Sequence, residues 1–255
     1  MNQTPEEWQK ELQHALKIAD NHISLYELMV KTGTLLYNAY RQGKYILPKP
    51  EKVANMYETA IKLSCKHGFV QYEVSNFMRN NKYSHHNSGY WAGLDYLGIG
   101  PGAHGRITDP VSGARKRTYN ILSPNEWMSQ CKDSGHGLRK SVVLSLQEVK
   151  DELVVFGLRS KMGVSCEQFG RLSGGQELEE HLNVEQLQYC IANQLLEWQK
   201  NEFINVPKGS TMEFKLENKG EKINGGSKQK KNRRLCPTER GLCVIDEIIP
   251  RILSK

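Results

Sequence analysis

Three short stretches concentrate the side chains that can do chemistry. They are Tyr72-Glu-Val-Ser-Asn-Phe-Met-Arg79, His85-His-Asn-Ser-Gly-Tyr-Trp91 and Asp95-Tyr-Leu-Gly-Ile-Gly-Pro-Gly-Ala-His-Gly105. In the third, four glycines fall within eight residues, at Gly98, Gly100, Gly102 and Gly105, interleaved with Ile99 and His104. Glycine lets a backbone approach a ligand closely and adopt positive φ. A loop of this kind at the C-terminal end of a strand is a common ligand site in α/β sheets. The same glycines equally suit a sharp turn packed under a neighbouring element, because glycine-rich runs are weak signals alone.

The second stretch pairs imidazoles with flat aromatics. Imidazole is a common axial ligand of haem iron, and Tyr90 and Trp91 offer apolar walls with polar tips. A single histidine is more often a buried group bonded to a backbone carbonyl. Three histidines within twenty residues, His85, His86 and His104, narrow that preference without reversing it. Glu73 suits a structural role, its carboxylate accepting backbone N–H bonds at a strand end. No Ser–His–Asp order, phosphate-binding GKS/T loop or paired-carboxylate motif appears, so no catalytic residue is assigned.

Iron–sulfur and zinc sites need thiolates grouped on tight loops. The six cysteines, Cys65, Cys131, Cys166, Cys190, Cys236 and Cys243, form neither CxxC nor CxxxCxxC. Scattered cysteines of this kind are expected to be small core residues rather than metal ligands.

The elements around these stretches alternate. Thr4-Pro-Glu-Glu7 reads as a capping box with proline at the first helical position. Trp8, Leu12, Ala15, Leu16 and Ala19 continue it at helical spacing. His22–Leu28 is expected to be a strand, and helix followed at once by strand is half of a βαβ unit. A second helix is expected over Pro50–His67, stopped by Gly68, then a strand over Phe69–Val74. Residues 75–105 read as loop. After Asn120, helix starts recur at Ser123, Ser145, Ser165 and Asn183, the last predicted to run to about Asn201. Two short strands, Phe203–Val206 and Arg234–Cys236, then flank a flexible tip, and a final helix spans Thr238–Leu253. Helices, two strands and a helix resemble a winged-helix arrangement. The division is placed near Asn120, giving domains 1–120 and 121–255.

The chain has 255 residues and a net charge of +7. Nine Lys/Arg against three Glu between Lys208 and Arg234 supply nearly all of that excess. Such a Lys/Asn/Gly-rich stretch cannot bury enough apolar area to offset its ordering entropy, so a mobile surface insertion is expected there, at about 208–234. It carries one aromatic, Phe214, and no series of interleaved aromatics on which bases would stack, which argues against a nucleic-acid partner. No run approaches the roughly 18 apolar residues of a membrane span. The start, Met1-Asn-Gln-Thr-Pro-Glu-Glu-Trp8, has neither an apolar core nor an arginine-rich face, so a soluble intracellular protein without a leader is expected.

Tyr72-Glu-Val-Ser-Asn-Phe77, His86-Asn-x-x-Tyr-Trp91 and Tyr96-Leu-Gly-Ile-Gly-Pro-Gly-Ala-His-Gly105 together resemble the HemW family of haem chaperones. That family lies within the radical S-adenosylmethionine (SAM) superfamily and is related to the oxygen-independent coproporphyrinogen oxidases. The resemblance covers about residues 4–205 and, more weakly, the last helix. It implies an α/β fold: the C-terminal part of a partial (β/α)6 barrel, then a mainly helical, winged-helix-like domain. It implies haem binding by His86, Asn87, Tyr90 and Trp91, with haem-accepting proteins as partners. It places Gly98, Ile99, Gly100, Gly102 and His104 at the barrel mouth as a possible ligand loop. The family's 4Fe–4S cluster and SAM are held by a CxxxCxxC motif and a glycine-rich loop that this sequence does not contain. The chain is therefore expected to be a fragment or isoform of a longer product, or a sequence lacking its front exons, without autonomous radical chemistry. A coproporphyrinogen-oxidase-like enzyme and a non-catalytic binding module are the competing readings. The animal branch of the family implies a mitochondrial location; otherwise a cytoplasmic one is expected.

Overall fold

The computed structural model describes residues 3–200 and 232–254. The chain divides into two compact units, residues 1–84 and 85–255.

In the first unit, α1 (Pro5–Ile18) starts on a complete capping box between Thr4 and Glu7. It packs on α3 (Pro50–Lys66), and the indole N–H of Trp8 donates to the carbonyl of Met56 at 3.0 Å. Leu12, Leu16, Ala60, Leu63, Phe69 and Phe77 close the core. Burying side chains of this size contributes about 1.5–3 kcal/mol each for the larger ones. A short helix, α2 (Leu35–Arg41), is capped by Thr34.

The sheet of this unit has the order β1–β3–β2, with both pairings antiparallel. β1 is His22–Ser24 and β2 is Val70–Glu73. The strand expected over His22–Leu28 stops early: Leu25 donates to the carbonyl of Ser75 at 2.8 Å, and Tyr26 and Leu28 are exposed. The third strand, β3 (Asn76–Met78), lies where loop was expected. The buried Glu73 carboxylate explains it, accepting from the Ser75 N–H at 3.2 Å and from the Asn76 amide, so the chain doubles back at once.

The second unit opens with α4 (His85–Trp91), then β4 (His104–Thr108), β5 (Arg115–Asn120), α5 (Pro124–Ser134) and β6 (Leu138–Val143). The three strands form an antiparallel meander, β4–β5–β6. Residues 85–91, expected to be loop, are helix. Asn120, the expected domain boundary, is instead the last residue of β5 inside this sheet. The division by packing falls between Ser84 and His85, because β5 is tied on both sides by strands that flank residue 120.

The remaining elements are α6 (Leu146–Leu158), β7 (Val164–Ser165), α7 (Cys166–Leu172), α8 (Leu178–His181), α9 (Val184–Ala192), β8 (Leu196–Lys200), β9 (Arg233–Pro237), α10 (Glu239–Cys243) and α11 (Ile245–Leu253). The sheet β7–β9–β8 is antiparallel. Helix, strand, three further helices, of which α8 is a single turn, and two strands resemble the winged-helix order. Leu158, Phe169, Leu196, Leu235, Leu242 and Ile252 are almost fully buried.

Two expectations are corrected here. The helix from Asn183 ends at Ala192 rather than Asn201, because Gln194 adopts φ +57° and Leu196, Trp198 then alternate with Glu197, Gln199 as a strand. The basic stretch ends earlier than Arg234, because Arg233 and Arg234 pair in register with Lys200 and Gln199. The rest of that insertion, and the strand expected over Phe203–Val206, lie outside the described residues. Among the described residues, no helix is long and apolar enough to cross a membrane.

Candidate functional site

The helix α4 turns the His-Asn-x-x-Tyr-Trp spacing into a stack. Residues four apart on a helix lie one above the other. His86 therefore shares a stripe with Tyr90, and Asn87 with Trp91. The two ends of the helix have different surroundings. His85 and His86 are exposed at its start, whereas Tyr90 and Trp91 are half-buried at its end.

Tyr90 is the hub of an aromatic cluster. Its ring centroid lies 5.1 Å from Trp91, 5.0 Å from Tyr96 and 5.0 Å from Phe156 of α6. Trp91 also meets Phe156 edge-on at 6.1 Å, and the Arg159 guanidinium lies 5.8 Å from the Trp91 ring. Beyond the helix, the Gln168 amide donates to the carbonyl of Ala92 at 2.5 Å. These contacts fix α4 to α6 and α7. The aromatic pair of the motif is thus spent largely on packing, and what it holds out is the first turn with its imidazoles.

Tyr96 links this helix to the glycine loop. It forms a two-bond bridge with Arg106, donating at 2.8 Å and accepting at 2.9 Å. Burial, then the neighbouring Tyr90, pushes its phenol up to about 12. The loop itself is braced at close quarters. A Cβ on Gly98 would come within 2.5 Å of the His104 carbonyl oxygen. Gly100 turns at φ +103°, a conformation that side chains rarely adopt. The Asn120 amide donates to the carbonyls of both Gly98 and Gly100 at 3.0 Å, and Gly102 N–H donates to Ile121 at 2.8 Å. The glycines thus permit a tight return of the chain, and they leave Leu97 and Ile99 71% and 83% exposed. His104, also exposed, stands edge-on to the Tyr119 ring at 4.7 Å.

Beneath the loop lies a charged group that the sequence reading missed. Arg106 donates to both carboxylate oxygens of Glu152, at 2.9 and 2.7 Å, and Arg117 donates to one of them at 2.6 Å. Burial raises the Glu152 pKa, but the hydrogen bonds and charges of the two arginines outweigh it and leave the carboxyl below its ordinary value. The alternation of Arg115 and Arg117 hints at one face of a strand. Arg115 lies 3.6 Å from Asp95, whereas the partner of Arg117 lies 35 residues away on a helix, which no local pattern reveals.

The Tyr72–Asn76 motif sits in the first unit. The Tyr72 hydroxyl and His22 Nε2 are 2.9 Å apart, and Tyr72 accepts from Ser84 N–H at 3.2 Å. Burial lowers the His22 pKa. Asn76 accepts from the Ser24 hydroxyl, which ties β1 to β3. The motif is a strand-locking network centred on buried Glu73.

The cysteines do not fit a cluster. Cys65 and Cys243 are exposed, Cys190 and Cys236 are buried, and among the described residues no three His, Cys, Asp or Glu side chains form a metal-binding group. Burial pushes the Cys166 thiol up to about 11 and the Cys236 thiol to about 12, the opposite of what a thiolate ligand requires.

No family model matches the chain. Curated relatives do. It is 38% identical over 187 residues to radical S-adenosyl methionine domain-containing protein 1, mitochondrial, of Danio rerio, covering 71% of this chain and 42% of that protein. The protein of the same name from Bos taurus is 42% identical over 160 residues, 62% of this chain and 36% of its own. The haem chaperone HemW of Bacillus subtilis is 34% identical over 169 residues, 65% of this chain and 43% of its own. The chain thus spans about two fifths of the length of these relatives. Among solved structures, coproporphyrinogen III oxidase (HemN) from Escherichia coli, a radical SAM enzyme, matches with a TM-score of 0.62 at 14% identity. It covers 97% of this chain and 51% of that one, and at this identity the likeness establishes the fold alone.

Proposed function

We propose that this chain, a homologue of haem chaperones and of radical SAM domain-containing protein 1, binds haem as cargo for delivery to acceptor proteins. The observation that carries the reading is the two-ended character of α4. His86 is exposed at its head, while Tyr90 and Trp91 anchor its tail to Phe156. A rigid helix with an imidazole at its free end suits a group that must take a metal complex and release it again. The relatives named haem chaperone support haem as that complex.

In this reading His86 supplies a direct bond to iron through a ring nitrogen. Asn87, on the neighbouring stripe, orients the macrocycle edge, and the Tyr90–Trp91 pair keeps the helix from turning under load. Release to an acceptor then needs only exchange of one axial ligand, since the site is at the surface. The 4Fe–4S cluster and SAM of the superfamily enter no step here, because the cysteine set does not fit the cluster. A mitochondrial setting is supported by the names of the animal relatives.

The test is titration with haemin, followed by the Soret band, of the chain and of His86→Ala. The variant should show a shifted band and weaker binding. The same pair should be made in an intact relative, because the chain spans only part of those proteins. Unchanged spectra and affinity in both settings would return His86 to an ordinary surface histidine.

A further inference from the structure

The antiparallel meander β4–β5–β6 has two edges of different character. On the β4 side, Tyr96 bridges to Arg106. On the other side β6 ends the sheet, and among the described residues no strand pairs with its far edge. Leu138, Arg139, Lys140, Ser141 and Val143 are all exposed, Val143 by 59%.

The direction of the backbone groups follows from the pairing. Leu144 N–H donates to the Arg115 carbonyl at 2.8 Å, and Val142 and Lys140 stand opposite Arg117 and Tyr119. In an antiparallel pair, alternate residues of a strand bond to the same neighbour. Lys140, Val142 and Leu144 therefore bond to β5. Ser141 and Val143 turn their N–H and C=O groups to the open edge. The register shifts between Tyr119 and Asn120, which leaves Arg139 as an extra residue with no opposite on β5.

The side chains along this edge are graded. Arg139 and Lys140 put two cations at one end, and Val142 and Val143 put two β-branched apolar groups at the other. From Lys132 to Leu144 there are three Lys/Arg against one acid, Asp133, whose carboxylate accepts from the Ser129 hydroxyl. An unpaired edge invites another strand, and lysine on it turns away indiscriminate partners. A second copy of this chain is a poor match. Antiparallel self-pairing about Ser141 would gather Arg139 and Lys140 of both copies along one seam, and like charges across a seam oppose pairing.

We infer that β6 is a docking edge for an extended acidic segment of a partner protein, which joins the sheet as a further strand. Ser141 and Val143 each offer it one N–H and one C=O. Run antiparallel, the segment reads apolar, apolar, polar, acidic, acidic. Its first two side chains then meet Val143 and Val142, and its carboxylates meet Lys140 and Arg139. Backbone bonds supply the affinity, and the charges choose the partner. Nothing in this edge depends on haem being the cargo.

The experiment uses the full chain and a fluorescein-labelled peptide, Val-Ile-Thr-Glu-Glu between neutral flanks, followed by fluorescence anisotropy. The acidic peptide should bind, and the version with Lys-Lys in place of Glu-Glu should bind at least tenfold more weakly. N-methylation at its valine and threonine, which face Val143 and Ser141, should abolish binding while the protein is untouched. Lys140→Glu should weaken binding by about fivefold, the size of one exposed ion pair. Ser141→Pro removes an N–H that points away from β5, so it should keep the circular dichroism of the chain and lose the peptide. In amide exchange, Ser141 and Val143 should slow on binding, whereas Lys140 and Val142 are protected with or without peptide. Failure of the acidic peptide to bind, equal binding of the acidic and basic peptides, or binding with unchanged exchange at Ser141 and Val143 would each overturn the inference. A dimer in light scattering that Ser141→Pro dissolves would also overturn it, by giving the edge to a second copy of this chain.

Discussion

Arg106 holds Glu152 by two parallel hydrogen bonds, joining β4 to α6 across 46 residues of sequence. Both side chains are largely shielded, 9% and 15% exposed. Removing one partner of such a pair leaves the other charge buried and uncompensated. Glu152→Gln should therefore destabilise the second unit by about 3 kcal/mol. Urea unfolding at neutral pH measures it, and a loss below about 1 kcal/mol would mean that the pair is solvated in practice.

The same carboxyl predicts a pH dependence. Its folded pKa lies below the ordinary value of 4.5. Its contribution is then fully present above that value and lost as pH falls through the depressed folded value. The stability difference between the chain and Glu152→Gln should be constant from pH 7 to about 5 and shrink below about 4. A difference that grew on acidification would reverse the sign of the proposed shift.

Phe156 touches both Tyr90 and Trp91, at 5.0 and 6.1 Å. Phe156→Ala should cost about 2 kcal/mol, less than a fully buried ring because Phe156 is only half-buried. The Trp91 environment should change with it. A red shift and loss of intensity in tryptophan fluorescence, absent in a Trp91→Phe background, checks that α4 has come loose.

Gly98 admits no side chain without moving the backbone of His104. Gly98→Ala should destabilise the loop by about 1–3 kcal/mol, the usual range for overpacking. Amide exchange at Gly100 and Gly102 should quicken before the rest of the sheet is affected. Gly113→Ala, at a hairpin tip with nothing within 4 Å, offers the contrast, where only its positive φ opposes the change.

The thiols should fall into two classes. Cys65 and Cys243 are exposed and should react with a disulfide reagent quickly at pH 8. Cys236, wholly buried with its thiol pushed to about 12, should react only on unfolding. For the same reason, anaerobic incubation with iron and sulfide should leave this chain without a stoichiometric four-iron absorbance. Appearance of that band with SAM cleavage would overturn the assignment of these cysteines.

What the sequence revealed depended on range. Helix starts written in four residues were legible: Thr4, Ser145, Ser165 and Asn183 all accept the hydrogen bond that their position implies. The family motifs were legible as types and spacing. Their conformations were not. His85–Trp91 contains Asn87, Ser88 and Gly89, all poor helix formers, and is helical because Tyr90 and Trp91 gain Phe156. Adjacent histidines on that helix diverge by about 100°, not by the half-turn of an extended strand. β8 was hidden because Leu196, Trp198 and their neighbours directly continue a helical run, and only the positive φ of Gln194 separates them. The Arg106–Arg117–Glu152 group was invisible because each member is unremarkable until α6 is laid across the sheet.

β8 and β9 are paired in register from Leu196–Pro237 to Lys200–Arg233. The two ends of the intervening stretch are therefore one strand spacing apart, whatever lies between them. The entropy of closing a loop rises only with the logarithm of its length, by about 0.6 kcal/mol for each doubling. A change in the number of residues between Lys200 and Arg233 therefore costs this pairing little, so sequence can be gained or shed there without disturbing the rest of the unit. It is equally a place to graft a reporter: an epitope or fluorophore set beyond Lys200 should leave the paired strands as they are.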